Sequence, residues 1–590
     1  MTRRLIILRA TVVLLSAVIF GRLVQLQVVE GRHNRELADQ NRIRIVRALA
    51  PRGSIHDRNG RLLATSRLAF SITVVPENLL ASRAEDPVRL LADILGLRPE
   101  DVAAYLKRQQ MVGYEAVPLY RDAPREVVAR VEEYSPYLSG VSVLADAVRY
   151  YPHGQLAAHV LGYVRDISEQ ELARPENADY RPLDLIGKAG VERIAEATLR
   201  GANGGHQVEV DARGRRVRTL GLVPPQPGHS IRLTLDLDLQ RAAEEALGGK
   251  PGAAVALDPR TGEILALASS PSFDPNAFVG SLSAEDWRRI SGPGHPQQNR
   301  ATTSRFPPGS LFKIVTAAAA LEAGETRPGD WFQCTGVFRI GGWRMRCWKR
   351  TGHGDVSFTQ GFSQSCNVMF ATLGRRVGPE KLAEMARRFG LGRASGVDLP
   401  DESAGLVPNP GWKRERRHQS WYPGDTCQMA VGQGDCLVTP LQMAQMAAAV
   451  ANGGKLMLPH VILEVEGEPG PREPVMVGEV ELKASTLDAI RQGMIGVVSP
   501  GGTAARIASN QYQIAGKTGT AQAPGGAPHA WFAGFAPADD PKIAVAVVVE
   551  HGGNGSAAAA PIARRMFDAA LLPKLRQANV AHSARPIGHR

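Results

Sequence analysis

The chain of 590 residues is 44% hydrophobic and 22% charged. These ordinary globular values exclude a wholly disordered chain, a collagen-like fibre and a polytopic membrane protein. Lysine and arginine outnumber aspartate and glutamate by 70 to 58, for a net charge of +12. That excess fits either a basic soluble surface or an anionic partner such as phospholipid or an acidic polymer. Because no zinc-finger, RNP or basic-zipper pattern is present, we expect no nucleic-acid partner.

The N-terminus predicts a membrane anchor. As a helix, the mostly apolar residues 5–28 would be about 36 Å long, enough to cross a hydrocarbon core of about 30 Å. Arg3, Arg4 and Arg9 favour a cytoplasmic N-terminus. A cleaved signal peptide is the alternative, but no A-x-A-like site follows Phe20. No other segment is long and apolar enough to cross, so we expect the rest of the chain on the far side of the membrane.

Beyond the anchor, Asp57-Arg-Asn-Gly60 is turn chemistry that predicts a β-hairpin. A Pro/Gly-rich stretch at 222–228 indicates a domain boundary. From about residue 575 the chain is rich in Arg, His and Pro and is expected to form a tail. The predicted elements are strands over 70–75, 141–145, 230–235 and 543–549, helices over 87–95, 124–134 and 239–247, and two strands around the turn 258–262.

The first pattern with chemical content is Phe306-Pro-Pro-Gly-Ser310-Leu-Phe-Lys313, followed by an Ala-rich run. This run predicts a helix that ends at Gly324, with Ser310 at its start and Lys313 one turn further on the same face. A serine hydroxyl is a weak nucleophile and needs a neighbouring base. Lysine can be that base only if burial and other cations lower its pKa. Alone, this spacing also occurs by chance in ordinary core helices.

Two further motifs follow, Ser365-Cys366-Asn367 and Lys517-Thr518-Gly519-Thr520. Alone, the first is typical of a helix N-cap, and the second of a strand near a turn. In this order, the three motifs are the serine acyl-transferase set of penicillin-binding proteins and β-lactamases. Their chemistry requires them to meet in one cleft.

Motifs along almost the whole chain resemble class B penicillin-binding proteins, and within that class those that act in elongation. Besides the three motifs and the anchor, they are Pro51-Arg-Gly53, Asp57-Arg-Asn-Gly60, Arg149-Tyr-Tyr-Pro152, Gly187-Lys-Ala-Gly-Val-Glu192, Leu257-Asp-Pro-Arg-Thr-Gly262, Trp421-Tyr-Pro-Gly-Asp425, Gly432-Gln-Gly434 and Thr439-Pro-Leu-Gln442.

The resemblance implies an α/β (α+β) multidomain fold with a single transmembrane helix. It implies an elongated α+β pedestal and a penicillin-binding/β-lactamase-like transpeptidase domain with a mixed sheet between helical layers. It also implies the bacterial inner membrane, with the catalytic domain in the periplasm. The expected division is a cytoplasmic stub and anchor over 1–28, a non-catalytic dimerisation-type pedestal over 29–228, the transpeptidase domain over 229–575 and a mobile tail over 576–590.

The resemblance further implies a D,D-transpeptidase that crosslinks nascent peptidoglycan through stem peptides ending in D-Ala-D-Ala and is a target of β-lactams. D,D-carboxypeptidase activity would be a side reaction. The implied partners are a SEDS-family glycosyltransferase and elongation-complex proteins. The implied roles are nucleophile for Ser310, base for Lys313, proton relay for Ser365, substrate and lysine positioning for Asn367, positive potential for Lys517 and substrate binding for Thr518, Gly519 and Thr520. Which group moves each proton stays open at this level.

Four soft ligands lie near the second motif: Cys334, Cys347, His353 and Cys366. Three thiolates and an imidazole suit a closed tetrahedral zinc site, and the Gly-rich loop between them has no core of its own. The alternative is a Cys334–Cys347 disulfide, with Cys366 free and His353 on the surface. The resemblance implies one structural zinc ion here, although some members have carboxylates in place of Cys334 and Cys347.

Three other functions compete with the elongation transpeptidase. A β-lactamase would need a water-activating base for fast deacylation, and none is identifiable. A division-specific class B transpeptidase is disfavoured by the soft-ligand cluster. A scaffold that only regulates a glycosyltransferase is disfavoured by the intact motifs, although the two roles can coexist.

Overall fold

The structure, a computed structural model, describes residues 2–30, 43–80, 86–109, 116–210, 216–280 and 284–583. The chain forms two compact units. Unit 1 comprises residues 1–52, 66–148 and 200–228, and unit 2 comprises 53–65, 149–199 and 229–590. One division between the units falls at 228/229, where the transpeptidase domain is expected to begin. Segments 53–65 and 149–199 group with unit 2, whereas the expected pedestal over 29–228 includes them. The expected domain bounds stay a prediction.

The predicted anchor is a continuous helix in the structure. An α-helix spans Thr2–Val24 and continues as a π-helical segment, Gln25–Val29. Residues Ile6–Val29 have a mean hydropathy of 2.0, and this stretch is long and apolar enough to cross a membrane. Its side chains are not buried against the rest of the chain, as expected for a surface that contacts lipid.

Unit 1 is a mixture of short helices and antiparallel strands. The helix predicted over 87–95 is present as Pro87–Leu95; the Asp86 carboxylate accepts the Arg89 N–H at its start, and Gly96 ends it in the left-handed region. The other helices are Pro76–Leu80, Pro99–Gln109, Arg125–Glu133 and the 3₁₀ turn Ser135–Tyr137. The strands that lie wholly or mostly in this unit are Ile43–Ala48, Leu62–Val74, Val117–Tyr120, Val141–Tyr150, Gly204–Val210 and Arg216–Val223.

Segment 53–65 contacts the rest of unit 2 through strand pairing with residues far away in the sequence. Strand Ile55–His56 runs parallel to the start of Ile231–Leu233. The hairpin predicted at Asp57–Gly60 is present, and Arg58 forms an ion pair with Glu263 at 2.9 Å. These contacts explain why segment 53–65 groups with unit 2.

A five-stranded sheet forms the centre of unit 2. Its strands are β1 Gly252–Leu257, β2 Ile264–Ser270, β3 Ala515–Ala521, β4 His529–Ala536 and β5 Ile543–Val549, in the order β2-β1-β5-β4-β3. All four pairings are antiparallel, so the expected mixed sheet is corrected to an antiparallel one, because short turns join β1 to β2, β3 to β4 and β4 to β5. Every strand residue except Thr520 is buried, so both faces are covered.

Helices form the covering layers. Leu237–Leu247 and Gly555–Ser583 pack on each other and on the sheet, as do Pro440–Ala451 and Ala484–Val498. The last helix extends from Gly555 to Ser583 and so runs past the predicted boundary at 575/576; residues 584–590 of the expected tail lie outside the described residues. The remaining helices are Ala158–Leu161, Glu169–Leu172, Gly190–Ile194, Glu196–Leu199, Ala284–Ile290, Lys313–Glu322, Phe358–Ser363, Asn367–Val377, Pro379–Arg388, Pro410–Arg417 and Pro423–Ala430.

Unit 2 also contains several short strands outside the central sheet. They form the pairs Val164–Asp166 with Leu185–Gly187, Trp331–Cys334 with Gly354–Ser357, Val337–Ile340 with Trp343–Arg346, and Lys455–Met457 with Met476–Glu479, and Ile462–Val465 pairs with Ile231–Leu233.

Candidate active site

Ser310 lies in a 3₁₀ turn, Gly309–Phe312, that leads directly into helix Lys313–Glu322. Gly309 has a φ of +53°, and its N–H donates to Gly432 O at 2.8 Å. A Cβ on Gly309 would lie 2.9 Å from Thr520 O. Glycine therefore allows the turn to approach the edge strand β3 closely, and Ser310 is held beside the third motif.

The hydroxyl of Ser365 lies between two buried lysines. Its Oγ is 3.0 Å from Lys313 Nζ and 2.9 Å from Lys517 Nζ. Lys313 Nζ also donates to Ser365 O at 2.8 Å and to Asn367 Oδ1 at 2.7 Å. Both lysines have no exposed surface, so the first and second motifs and Lys517 form one hydrogen-bonded network.

Burial changes the proton affinity of both lysines. It lowers the pKa of Lys313 to about 8. For Lys517, burial and then the charge of Lys313 lower the pKa well below its ordinary value. Two ammonium groups that share one hydroxyl in a water-poor site repel each other. The two lysines therefore do not both remain protonated, and the neutral one can accept a proton.

Ser365 owes its position to an unusual backbone. Its φ is +56°, a left-handed conformation that costs a non-glycine residue roughly 1–2 kcal/mol. Cys366 is the N-cap of helix Asn367–Val377, and its Sγ accepts the Met369 N–H at 3.4 Å. A left-handed Ser365, followed by Cys366 in an extended conformation at the helix start, directs the Ser365 side chain to the lysines and the Cys366 side chain to the other thiols.

The third motif lies on the edge strand β3. Thr520 is the exposed residue of this strand, and its carbonyl oxygen accepts Gln433 Nε2 at 3.3 Å. In an antiparallel strand, the N–H and C=O of one residue point to the same side, so the Thr520 N–H also faces away from β4. Thr518 Oγ1 is 2.7 Å from Thr503 Oγ1.

One cleft of about 770 Å³ brings these residues together. Of the predicted site residues, Ser310, Ser365, Asn367, Thr518, Gly519 and Thr520 line it. Lys313 and Lys517 are buried beneath and reach it through Ser365. The lining residues that sequence reasoning missed are Trp343, Arg344, Met345, Arg346, Trp348, Gln428, Val431, Gln433, Gly434, Thr503, Gln522, Pro528, Asn554 and Ser556. In the sequence, Gly432-Gln-Gly434 and Gly501-Gly-Thr503 are patterns that indicate loops. Neither pattern shows that its loop lies beside the cleft, because contacts with distant parts of the chain place it there.

Behind the second motif, the four soft ligands form a compact group. One ligand atom from each of Cys334, Cys347, His353 and Cys366 lies within 4.8 Å of the others. His353 Nδ1 is 3.5 Å from the Sγ atoms of both Cys334 and Cys347. Tetrahedral zinc with sulfur and nitrogen ligands separates such atoms by about 3.6 Å, so these two distances suit that ion.

The chemistry of the four side chains also suits a metal. All five cysteines are free thiols, so the alternative Cys334–Cys347 disulfide is not formed here. A hydrogen bond from Cys366 lowers the pKa of Cys347 to about 4, while the same bond raises that of Cys366. His353 Nε2 is buried without a hydrogen-bond partner in the described part of the chain. The remaining thiols, Cys427 and Cys436, are buried, as expected.

Known proteins resemble this chain in both sequence and structure. A peptidoglycan D,D-transpeptidase, MrdA, from Acinetobacter baumannii is 36% identical over 98% of this chain and 88% of its own length. The penicillin-binding protein PBP2 of Helicobacter pylori, solved in complex with MreC, superposes with a TM-score of 0.75 at 30% identity, over 90% of this chain and 99% of that one. A chain from a peptidoglycan synthase complex that coordinates polymerization and crosslinking superposes with a TM-score of 0.71 at 32% identity, over 96% and 98%.

Two family models match the chain. The penicillin-binding protein dimerisation domain matches residues 47–233, and the penicillin-binding protein transpeptidase domain matches residues 252–568. The second match contains all three motifs and the cleft they line. The expected fold class and the expected kind of enzyme are thereby confirmed. The chain belongs to the family of penicillin-binding proteins that join a dimerisation domain to a transpeptidase domain.

Proposed function

We propose that this chain is the peptidoglycan D,D-transpeptidase of cell elongation and that it crosslinks stem peptides through an acyl-enzyme on Ser310. The observation that carries the proposal is the Ser365 hydroxyl held between two buried lysines in the cleft that Ser310 lines. A protein that acted only as a scaffold would not require this buried network of Ser365, Lys313 and Lys517. Among the described residues that line the cleft there is no carboxylate, so a carboxylate base for β-lactamase-type deacylation is not at hand.

Acylation begins with the hydroxyl of Ser310. Its Oγ attacks the carbonyl carbon of the penultimate D-Ala, and neutral Lys313 takes the proton. The structure shows Lys313 Nζ bound to Ser365 and Asn367, so this transfer needs a small side-chain shift when substrate enters, as is common for unliganded enzymes. The peptide bond to the terminal D-Ala breaks, and Ser365 passes a proton to the leaving amine. The amine of a second stem then attacks the ester and restores Ser310.

Charge develops on the substrate carbonyl oxygen during both steps. The backbone N–H groups of Ser310 and Thr520 are the proposed donors, because the turn Gly309–Phe312 lies against β3 and the Thr520 N–H faces away from β4. One such donor is typically worth about 2.7–4 kcal/mol. Lys517 supplies positive potential when Lys313 is neutral, because the Lys313 charge that disfavours the Lys517 ammonium is then absent. Thr518 and Thr520 bind the terminal carboxylate.

The pH dependence of the reaction tests this account. Lys313 acts as a base only when neutral, and its pKa of about 8 leaves roughly a tenth of it neutral at pH 7. We expect the rate of D-Ala release from a D-Ala-D-Ala pentapeptide to rise about tenfold from pH 6 to pH 7 and to level off above about pH 8. The measurement is kcat/KM over pH 5.5–9.5, together with detection of crosslinked product. A flat profile over this range would contradict a lysine base.

We also propose that the soft-ligand cluster binds one zinc ion, with Cys334, Cys347, His353 and Cys366 as ligands. The support is the fit of the donor set, in which one ligand atom of each residue lies within 4.8 Å of the others and His353 Nδ1 faces the Cys334 and Cys347 thiols. When bound, the ion would serve as a structural clip. Cys366 lies between Ser365 and Asn367, so holding its Sγ fixes the backbone that aims both side chains into the cleft. Errors of about 1 Å in such positions can cost roughly 100-fold in rate.

Substitution of Cys366 with serine separates metal binding from helix capping. Serine is a good N-cap, so helix Asn367–Val377 should persist while one ligand is lost. We expect the zinc content to fall from one ion per chain to near zero and penicillin acylation to slow by about 10- to 100-fold, with unchanged helix content by circular dichroism. Cys436→Ala, which removes a buried thiol elsewhere in unit 2, is the control. Native protein purified without chelator that lacks zinc would contradict the proposal.

The anchor and the relatives suggest where the enzyme works. We propose that helix Thr2–Val24 and its continuation cross the bacterial inner membrane once, with the N-terminus in the cytoplasm, because Arg3, Arg4 and Arg9 lie at that end. The H. pylori relative was solved with MreC, and another relative in a complex for polymerization and crosslinking. We therefore propose an elongation-complex protein and a SEDS-family glycosyltransferase as partners of this chain, with β-lactams as its inhibitors.

A further inference from the structure

A β-hairpin, here called the arm, lies in the sequence between two of the soft ligands, Cys334 and Cys347. Its strands, Val337–Ile340 and Trp343–Arg346, pair antiparallel. Cys334 precedes the first strand and Cys347 follows the second, and a hydrogen bond from Cys347 N to Gly336 O at 2.9 Å closes the base. Since Cys334 and Cys347 both belong to the compact cluster, the base of this arm is anchored in the protein.

The second strand of the arm forms one wall of the active-site cleft. All four of its residues line the cleft, and the indole of Trp343 packs on Gly424, where an added Cβ would be 3.2 Å from the ring. Asn367 Nδ2 donates to Arg346 O at 3.2 Å, and Asn367 Oδ1 accepts from Lys313 Nζ at 2.7 Å. Arg346 is therefore two hydrogen bonds away from the lysine that we propose as base.

The arm carries positive charge that no acidic side chain neutralises within the described part of the chain. Arg344 and Arg346 are exposed, and Arg344 stands directly opposite Arg339 in the hairpin register. Like charges at opposed positions destabilise a hairpin. Over the described ranges of the chain, no Asp or Glu lines the cleft, and neither Arg344 nor Arg346 forms an ion pair. The cleft thus presents two guanidinium groups without a counter-charge, an arrangement suited to an anionic group on the substrate.

We propose that Arg344 and Arg346 bind the side-chain carboxylate of the third stem residue, the residue before D-Ala-D-Ala in the donor strand. The inference rests on the proposed function, in which Thr518 and Thr520 take the terminal carboxylate and Asn367 binds the stem amide at the other end. The third residue then lies beside Asn367 and Arg346, because consecutive Cα atoms are only about 3.8 Å apart. The enzyme would accordingly select stems whose third residue is a diamino diacid over stems with lysine there.

Three synthetic pentapeptides test the subsite. They carry at position three the diamino diacid, the same residue with its side-chain carboxylate amidated, or lysine. We expect the native enzyme to release D-Ala from the diacid peptide with a kcat/KM at least about tenfold above that for the other two. Arg344→Gln and Arg346→Gln should each lose about tenfold on the diacid peptide alone, and added salt should reduce the preference. Arg350→Gln removes an exposed charge that does not line the cleft and should behave as native.

Two further readouts separate this subsite from the catalytic proposal. Penicillin has no third stem residue, so both arginine variants should slow penicillin acylation clearly less than they slow D-Ala release from the diacid peptide. Binding of the diacid peptide to Ser310→Ala protein, measured by calorimetry, should weaken about tenfold when Arg344→Gln is added, whether or not the enzyme turns over. The assignment would be overturned if the arginine variants lost equal activity on all three peptides, or if the native enzyme showed no preference among them. It would also be overturned if activity fell on amidation of the second stem residue rather than the third. D-Ala release from all three at one rate would leave the transpeptidase proposal intact.

Discussion

Replacement of Ser310 with alanine is expected to lower the rate of D-Ala release by at least about 10⁴-fold and to eliminate covalent penicillin labelling. The hydroxyl is the only group in the cleft that we assign to form the acyl-enzyme bond. It belongs to a turn held by Gly309 and by the Gly309–Gly432 hydrogen bond. Neither feature involves the Ser310 side chain, so the turn should persist. Rates of labelling with a fluorescent penicillin and the thermal unfolding midpoint are the measurements.

Ser499→Ala is a matched control for this change. Ser499 Oγ donates to Ile495 O at 2.9 Å at the end of helix Ala484–Val498, and Ser499 does not line the cleft. The control should label at the native rate. An alanine variant at position 310 that still forms a stable adduct would show that another residue is the nucleophile.

Replacement of Lys313 should have the second-largest effect. Lys313→Met removes the amine but keeps most of the buried apolar volume, and Lys313→Arg keeps the positive charge but cannot lose a proton at ordinary pH. Because we assign Lys313 as the base, we expect both variants to acylate about 10²- to 10⁴-fold more slowly than native protein. Lys313→Met should also lose stability, since Ser365 O and Asn367 Oδ1 would be left without their donor.

The comparison of the two variants discriminates between proton transfer and simple electrostatics. If Lys313 acted only through its charge, Lys313→Arg would retain much of the native rate. Recovery of more than about a tenth of that rate in the arginine variant, with a folded protein, would therefore contradict the assignment. Acylation rates at pH 7 and pH 9 should be compared, since the rise with pH predicted for native protein should disappear in both variants.

Local patterns predicted most of the elements that carry the site. The Ala-rich run after Lys313 forms a helix over Lys313–Glu322, and the turn at 258–262 joins β1 and β2. In these cases the relevant forces act between residues near in sequence: helix propensity, capping, and glycine in the left-handed region. The order of the three motifs added the expectation of a shared cleft, and the structure brings their side chains together.

Features that depend on distant contacts were not predictable in the same way. Strand Ile55–His56 is too short to reveal that it pairs with Ile231–Leu233, so the sequence carries no local signal that segment 53–65 groups with unit 2. The left-handed Ser365 is stabilised by its two lysine partners from other motifs, and no local signal marks it. Likewise, Trp343 gives no hint in sequence that it packs on Gly424. Tertiary packing decides such positions and overrides local preference.

The central claim is that Ser310 carries the acyl group. The most direct test is peptide mapping by mass spectrometry of native protein, quenched in acid after brief exposure to a D-Ala-D-Ala pentapeptide and, separately, to penicillin. We predict a single modified residue, Ser310. Its mass increase should equal the mass of the pentapeptide less that of one free D-alanine in the first case, and the mass of the intact antibiotic in the second. An adduct on Ser365 or on any other residue, with Ser310 unmodified, would contradict the account.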